Sequence, residues 1–188
     1  MTAQSTSNMS GQATGQESVL MSSDDIQRSL KRLTHELLEA NNGSDNIVLV
    51  GIVTRGEHIA KRISSLIQEF EGREVPLGNL DITLYRDDSA RSFRSTGESH
   101  IPFEITGKNV ILVDDVLFSG RTVRSALDAL NAYGRPATVQ LLVLLDRGHR
   151  ELPIHANYVG KNIPTARTER VNVRLQEVDG TDQVTISK

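Results

Sequence analysis

The chain has 188 residues, of which 37% are hydrophobic, and a formal net charge of −3 at pH 7. This length is typical of a single domain, and the absence of cysteine excludes disulfide bonds and thiolate metal sites and favours a reducing compartment. No apolar run reaches the ~18 residues of a membrane-spanning helix. The N-terminus also lacks a secretory signal pattern, so the composition predicts a cytoplasmic protein.

The N-terminal stretch is polar and precedes a strongly patterned helix. Its first 18 residues are mostly Ser, Thr, Gln and Gly, which predicts a disordered extension over residues 1–20 and a single domain over residues 21–184. Helical spacing then predicts a helix over residues 24–40, with a buried stripe made of Ile26, Leu30, Leu33 and Leu37. The opposite face carries four basic residues, namely Arg28, Lys31, Arg32 and His35. By itself this pattern indicates only a solvated helix surface.

A short apolar strand over residues 47–50 leads to the turn Thr54-Arg55-Gly56 and to a helix predicted over residues 57–70. A small-residue turn at a helix start is a typical anion-binding feature. Residues 75–85 resemble a further strand, and a polar, aperiodic stretch follows over residues 89–100. An irregular segment of this length inside a domain is usually functional or disordered.

The chain is organised around residues 110–122. The apolar run at residues 110–113 predicts a strand buried on both faces. Asp114 and Asp115 follow where this strand should leave the sheet, and the Ser-Gly-Arg-Thr turn at residues 119–122 precedes a predicted helix over residues 123–132. These are the parts of a phosphate site beyond the carboxyl end of a strand in an α/β sheet.

The two adjacent carboxylates narrow the choice of ligand, because repelling acids are stable only beside cations or hydrogen-bond donors. Ribose hydroxyls can donate to them, and Mg²⁺ held by a diphosphate can lie nearby. A lone Asp-Asp pair would indicate an acidic surface turn. The Ser-Gly-Arg-Thr continuation instead predicts a ligand that carries both a sugar and a phosphate.

The rest of the chain repeats the alternation of strands and helices. Residues 139–145 predict another buried strand, which leads to Arg147, a residue that could contact a base or cap a carboxylate. His149 by itself fits a core or a surface position. Two later apolar segments lie at residues 158–160 and 171–178. The alternation predicts an α/β fold with a mostly parallel central sheet.

Residues 110–122 resemble the phosphoribosyl-diphosphate (PRPP) motif of the type I phosphoribosyltransferases, in which an apolar strand, two acids and a Thr/Ser-Gly-x-Thr turn follow one another. Stretches at residues 81–88, 146–153 and 159–165 resemble one subfamily, the PyrR family of bacterial pyrimidine-operon regulators that are also uracil phosphoribosyltransferases. The resemblance covers roughly residues 24–178. It implies the type I phosphoribosyltransferase fold, in which helices flank the central sheet and a small hood region is added.

The resemblance implies transfer of phosphoribosyl from PRPP to uracil, giving UMP and diphosphate, with Mg²⁺ held mainly through the PRPP diphosphate. It implies catalytic roles for Asp114, Asp115, Arg86 and Asp87, and a mobile catalytic loop over residues 89–100. The base is expected to stack near Arg147, with backbone groups around Val171 reading its edge. The residues expected to bind PRPP or UMP are Thr54, Arg55, Gly56, Asp114, Asp115, Val116, Leu117, Phe118, Ser119, Gly120, Arg121, Thr122, Arg147 and Val171.

The same resemblance implies binding of pyrimidine-operon leader RNA when UMP is bound, by one face of a homodimer or higher homo-oligomer. The residues expected to contact RNA are Arg28, Lys31, Arg32, His35, Thr54, His149 and Lys161. This chain departs from the family pattern by having Lys31 in place of Thr, and Ala40 and His155 in place of Arg.

Two other functions account for fewer of these features. A plain phosphoribosyltransferase explains the ligand motifs and the net charge, and it leaves the basic helix face as a solvated surface. A phosphoacceptor receiver domain also places acids at a strand end. In a receiver, however, those acids follow the first strand, and the Ser-Gly-Arg-Thr turn would have no role.

Overall fold

The computed structural model describes residues 17–85 and 98–188. The strands of its larger sheet are β2 (Ile47–Ile52), β3 (Leu77–Leu80), β4 (Asn109–Leu117), β5 (Thr138–Asp146) and β6 (Tyr158–Asn162). They are all parallel and lie in the order β3-β2-β4-β5-β6. Every residue of β2 is buried, as expected for a strand covered by helices on both faces. The predicted parallel central sheet is therefore confirmed.

Helices cover both faces of this sheet. α1 (Ser23–Ala40) and α2 (Arg55–Glu71) pack on one face, and α3 (Arg121–Leu130) packs on the other. The apolar stripe predicted for α1 is buried, and the helix begins at a capping box in which Ser22 and Asp25 exchange hydrogen bonds. Within the described ranges, no helix combines the length and the apolar character needed to cross a membrane.

The strand order creates a crevice between β2 and β4. The chain runs from β2 outward to β3 and then returns to β4 on the other side of β2. At such a reversal the connections leave the sheet in opposite directions, and ligands bind there, beyond the carboxyl ends of the strands. The β2–α2 and β4–α3 turns, which carry the two predicted anion sites, both lie at this point.

A second, antiparallel sheet forms a small hood. It contains β1 (Ser18–Met21), β7 (Arg170–Arg174) and β8 (Gln183–Ser187) in the order β1-β8-β7, with the short helix α4 (Gln176–Asp179) between β7 and β8. Arg62 of α2 anchors the hood by pairing with Glu177 at 2.6 Å and with Asp182 at 2.7 Å. The hydrogen bond from Arg62 holds the pKa of Glu177 below its ordinary value.

Several boundaries differ from the sequence prediction. The extension predicted over residues 1–20 overlaps β1, because Ser18–Met21 pairs with β8, while residues 1–16 lie outside the described part of the chain. The domain predicted to end at residue 184 continues to the end of β8. The strand predicted over residues 75–85 is shorter, because β3 lies at the edge of the described sheet and its ladder with β2 covers only residues 77–80.

Candidate active site

The turns after β2 and β4 form one pocket at the carboxyl edge of the sheet. The two strands are neighbours, with Gly51 beside Val113 in the register. The pocket has a volume of about 190 Å³. Its polar lining comes from β4 and from the starts of α2 and α3, and it comprises Thr54, Arg55, Asp114, Asp115 and Thr122. The structure thus brings together side chains from the two turns that the sequence singles out.

Gly56 sets the distance between these two turns. It is buried in the first turn of α2, where an added Cβ would lie 2.3 Å from the carbonyl oxygen of Val113 and 3.1 Å from the Cα of Asp114. Any side chain at this position would therefore push the start of α2 away from β4.

The sequence predicts that Asp114 and Asp115 lie just beyond the strand, but the structure places both within β4. The strand continues to Leu117 because β5 pairs with it as far as Asp146. Asp114 is 7% exposed, and its carboxylate accepts a hydrogen bond of 2.9 Å from the N–H of Asp115. Burial raises the pKa of Asp115, and the charge of Arg55 opposes this rise. The pair therefore favours a ligand that offers cations or hydrogen-bond donors.

The predicted phosphate turn lines a second pocket, of about 340 Å³, formed by residues 116–123 together with Glu151. Gly120 has a φ of 92° and directs the chain into α3, which begins at Arg121, earlier than predicted. Glycine adopts this positive φ without strain. The first N–H groups of α3 lack partners within the helix and carry the positive end of its dipole, so an anion is favoured in this pocket.

The segment after β5 places Arg147 beside Phe118. The guanidinium lies 4.3 Å from the centroid of the Phe118 ring and donates to the hydroxyl of Thr165 and to the carbonyls of Ala166 and Glu169. In the described part of the chain, the guanidinium of Arg147 donates to a hydroxyl and two carbonyl oxygens and to no carboxylate. Glu169 directly precedes β7, so Arg147 joins the phosphate turn to the strand that carries Val171.

His149 lies in the same place. Its ring meets Phe118 edge-on, with centroids 6.1 Å apart, and its Nε2 is within hydrogen-bonding distance of the carbonyl of Thr165. His149 therefore belongs to the carboxyl edge of the sheet, where the sequence alone leaves core and surface positions open.

Arg55 links the pocket to the hood. Its Nη2 lies 2.9 Å from Oδ1 of Asp179 in α4, and the bond from Nε to the same carboxylate is 3.3 Å long. No sequence pattern indicates this contact, because 124 residues separate the two side chains. The cation predicted to meet the diphosphate is therefore also a partner of the hood.

A model of the phosphoribosyl transferase domain matches residues 22–177. The bifunctional protein PyrR of Chloroflexus aurantiacus is 56% identical to this chain, covering 92% of it and 96% of the relative. The bifunctional protein PyrR of Deinococcus radiodurans is 55% identical, with coverages of 91% and 94%. The chain belongs to the PyrR family. The resemblance identified from residues 81–88, 110–122, 146–153 and 159–165 is thereby confirmed.

Solved structures support the fold expected of a PyrR-family protein. A hypoxanthine phosphoribosyltransferase of Staphylococcus aureus superposes with a TM-score of 0.68 at 25% identity, covering 91% of each chain. The hypoxanthine phosphoribosyltransferase of Trypanosoma cruzi in complex with IMP gives a TM-score of 0.72 at 17% identity, covering 95% of this chain and 97% of that one. The predicted type I phosphoribosyltransferase fold is confirmed.

The residues expected to contact RNA, from the family pattern and from the basic face of α1, fall in two regions. The first combines one face of α1 with the edge strand β6, and we call it the α1–β6 surface. Arg32 connects its two parts by donating to the carbonyls of Val159 and Gly160 at 3.1 and 2.6 Å. All members of this surface are exposed: Arg28, Lys31, Arg32, His35 and Lys161.

The second region is the active-site edge, which holds Thr54 and His149. In the α1–β6 surface, one side chain is partly covered, because the ring of His35 stacks on Phe70 of α2 with centroids 4.2 Å apart. Two of the residues expected to contact RNA thus lie where the nucleotide is expected. For Thr54 the sequence already implies both roles, whereas the position of His149 is seen only in the structure.

Part of the PyrR family pattern falls on residues 86–97, which lie outside the described residues. Arg86, Asp87 and most of the predicted catalytic loop belong to this stretch. Among the described residues that follow it, His100 forms an isolated antiparallel bridge with Asn79 of β3.

Proposed function

We propose that this protein makes UMP and diphosphate from uracil and PRPP, and that it regulates pyrimidine operons by binding their leader RNA in response to UMP. One observation carries the enzymatic half. The turn of Thr54, Arg55 and Gly56 and the acids Asp114 and Asp115 converge at the switch point of the sheet, in a chain of the PyrR family.

In this reaction a ring nitrogen of uracil bonds to the anomeric carbon of PRPP while the diphosphate leaves. Positive charge develops on the ribose and negative charge on the leaving group, so groups placed beforehand around both can lower the barrier. Asp114 and Asp115 accept hydrogen bonds from the ribose hydroxyls, and their charge faces the developing cation. The turn at residues 119–122 holds the 5′-phosphate, with a hydroxyl contributed by Thr122, and the turn at residues 54–56 meets the diphosphate.

Mg²⁺ fits this site as an ion that arrives with the substrate. In residues 17–85 and 98–188 no group of three or more His, Asp or Glu side chains converges to hold a metal. Asp114 and Asp115 nevertheless offer carboxylate oxygens beside Thr54. Mg²⁺ commonly binds through one or two carboxylates together with substrate phosphates and water. The diphosphate would be the main ligand of the ion, these two acids would add carboxylate oxygens, and the ion would neutralise charge on the diphosphate.

The uracil ring is assigned to the space between the phosphate turn and β7. The guanidinium of Arg147 is partly buried against Phe118, and its bond to the carbonyl of Glu169 fixes the start of β7. Backbone groups around Val171 can then read the edge of the base, as the family pattern implies. Val171 is held in register by antiparallel pairing with Ile186.

With PRPP and Mg²⁺, the purified protein is expected to convert uracil to UMP, and chelation of Mg²⁺ is expected to abolish the conversion. Separate reactions with uracil, orotate, hypoxanthine and xanthine, followed by chromatography of the nucleotides, test this prediction. Hypoxanthine is the critical comparison, because the structural neighbours are hypoxanthine enzymes. Turnover of a purine base without turnover of uracil would overturn the uracil assignment.

Two observations support the RNA-binding half of the proposal. The α1–β6 surface presents cations on one side of a chain whose net charge is −3, and such a patch can attract a polyanion whatever the overall charge. His149 contacts Phe118, which directly precedes the phosphate turn, so a nucleotide in the site can alter what this histidine presents to RNA. UMP can change RNA affinity only if it binds more tightly to the protein conformation that binds RNA than to the one that does not.

Replacing Arg32 by glutamine is expected to weaken leader-RNA binding and to flatten its salt dependence by about one phosphate contact. Uracil transfer should stay near the wild-type rate, because Arg32 contacts β6 and Glu36, away from the acids of β4. The measurement is a titration of leader RNA at two salt concentrations, with and without UMP.

Lys61→Gln is the matched control, because it removes one exposed cation from α2, where Lys61 pairs with Glu57. Its salt dependence should equal that of the wild type. Equal, weak binding of leader and unrelated RNA by the wild type would favour the alternative, a phosphoribosyltransferase without a regulatory role.

A cytoplasmic location and a homo-oligomeric state belong to the same proposal. Light scattering of the purified protein tests the oligomeric state.

A further inference from the structure

The hood supplies a carboxylate to the turn that is expected to meet the diphosphate. Asp179 of α4 holds one side of the Arg55 guanidinium: Nε lies 3.3 Å from its Oδ2, and Nη2 lies 2.9 and 3.1 Å from Oδ1 and Oδ2. In the described part of the chain, Nη1 of Arg55 forms no hydrogen bond. A guanidinium presents donors on more than one edge, so Nη1 is left for an anion while the Nε side is held.

Asp179 is itself fixed by the backbone of the hood. Its Oδ2 accepts a hydrogen bond of 2.9 Å from the N–H of Leu175, which directly precedes α4. Burial opposes ionisation of this acid, but the bonds from Leu175 and Arg55 hold its pKa below the ordinary value, with a smaller contribution from the charge of Arg174. Asp179 is therefore a charged acceptor with a fixed orientation at neutral pH.

The held guanidinium lies beside the acids of β4. Arg55 lines the same pocket as Asp114 and Asp115. Burial raises the pKa of Asp115, and the charge of Arg55 opposes this rise, so the guanidinium is within electrostatic range of the acids. The diphosphate of PRPP is bonded to the ribose that these acids are expected to bind. Asp179 thus keeps a cation where the diphosphate should lie.

Two opposing effects of Asp179 on an incoming anion can be compared. An arginine side chain that is free in solution loses rotamer freedom when it binds a ligand, and this loss reduces affinity. Asp179 also repels the anion, but the side chains of Arg55 and Asp179 are 33% and 22% exposed, so water and salt screen that repulsion. Orientation of Arg55 is therefore expected to outweigh the repulsion.

We propose that Asp179 is a positioning residue for the transfer reaction, which orients Arg55 toward the diphosphate of PRPP. The inference rests on the proposed function, in which the turn at residues 54–56 meets the diphosphate. UMP carries no diphosphate. Asp179 should therefore influence the binding of PRPP and of free diphosphate, and it should not influence the binding of UMP.

Calorimetry of the wild type and Asp179→Asn, with inorganic diphosphate and Mg²⁺ in one titration and UMP in another, tests this inference. Asparagine keeps an oxygen for the N–H of Leu175 but loses the charge and one acceptor for Arg55. It should weaken diphosphate binding about three- to tenfold, as expected when one long side chain is freed, and leave UMP binding at the wild-type value. A loosened hood would instead weaken UMP as well.

Asp182→Asn is the matched control. Asp182 also joins the hood to α2, through Arg62 at 2.7 Å, and it also accepts a hydrogen bond from a backbone N–H, that of Gln176. It does not line the pocket of the acids. Its ratio of diphosphate to UMP affinity should equal that of the wild type. Asp179→Ser frees Arg55 without placing an amide beside it, and it gives the same comparison should Asp179→Asn not fold.

A double-mutant cycle shows whether Asp179 acts through Arg55. Arg55→Gln should weaken diphosphate binding, and adding Asp179→Asn to it should cause no further loss. A further loss as large as that of Asp179→Asn alone would contradict the proposal, and so would an unchanged ratio in both Asp179 variants or an equal change in Asp182→Asn. Tighter diphosphate binding by Asp179→Asn would also overturn it, because Asp179 would then compete with the diphosphate for Arg55.

The wild-type titrations separate this inference from the proposed function. If the wild type binds neither diphosphate nor UMP, the assignment of the site fails, and the inference fails with it. If the wild type binds both and the Asp179 variants keep its ratio of affinities, only the role of Asp179 is wrong.

Discussion

Replacing Asp115 by asparagine is expected to weaken PRPP binding about ten- to hundredfold without lowering the unfolding temperature. The loss corresponds to one charge-assisted hydrogen bond to ribose, about 1.5–3 kcal/mol. Folding should not suffer, because burial already penalises the ionised form and thereby raises the pKa of Asp115, against the opposing charge of Arg55. The asparagine removes that penalty.

The raised pKa of Asp115 also predicts how the stability difference between the wild type and Asp115→Asn changes with pH. A raised pKa means that the folded protein holds the Asp115 proton more tightly than the unfolded chain does. Ionisation of Asp115 therefore costs stability above the folded pKa, and the wild type recovers that stability as the pH falls through it. Any advantage of Asp115→Asn in unfolding temperature should be largest at neutral pH and should shrink on acidification, which thermal melts at several pH values can follow.

Calorimetric titration with PRPP measures the binding half of the prediction, and Asp114→Asn is expected to change affinity in the same direction. Glu39→Gln serves as the control, since Glu39 is an exposed acid on α1 outside the pocket. A steep fall in unfolding temperature for Asp115→Asn, with PRPP affinity intact, would show that the acid supports the fold and does not hold ribose.

Replacing Gly56 by alanine is expected to lower the free energy of unfolding by about 1–3 kcal/mol and kcat/KM by about a hundredfold. The new methyl group would lie 2.3 Å from the carbonyl oxygen of Val113. That oxygen belongs to the backbone of β4, which is paired with β2 and β5 on its two sides and cannot turn away, so the start of α2 must shift. A shift of this kind carries Thr54 and Arg55 away from the acids.

Chemical denaturation and steady-state kinetics with PRPP as the varied substrate measure both effects. Ser65→Ala on the same helix is the control, because Ser65 is exposed and its hydroxyl bonds only to the carbonyl of Lys61. It should leave both quantities close to wild type. A Gly56→Ala variant with normal kinetics would mean that the distance between the two turns is unimportant for transfer.

The parts of the site that could be predicted from the sequence are those whose residues are close in the chain. Residues 110–122 contain a strand, an acid pair, a turn and a helix start in one continuous stretch, and the structure places them in that order. The end of β4 was misplaced because its length depends on β5. Pairing with residues up to Asp146 extends β4 through both acids, and no property of residues 110–117 alone specifies this.

The features that escaped prediction depend on contacts between distant residues. β8 is a short strand rich in polar residues, and it exists because β1 and β7 pair with it on either side. Val178 belongs to the apolar segment identified at residues 171–178 but lies in α4. The partners of Arg55 and Arg121, which are Asp179 and Glu151, lie in other elements. The charge of an arginine does not predict which of the many acidic residues in the chain it pairs with.

The hood has a consequence for the order in which the protein folds during synthesis. Of the strands in the described residues, β1 leaves the ribosome first and its partner β8 is made last, with Ser18 pairing beside Ile186. The five parallel strands are complete at Asn162, so their pairing can begin before Val173, Leu175 and Val184 are made and join the core on the α1–α2 face. The pairs that Arg55 and Arg62 make with the hood therefore form last. A chain still being translated has both anion-binding turns but lacks the partners that hold Arg55 in place.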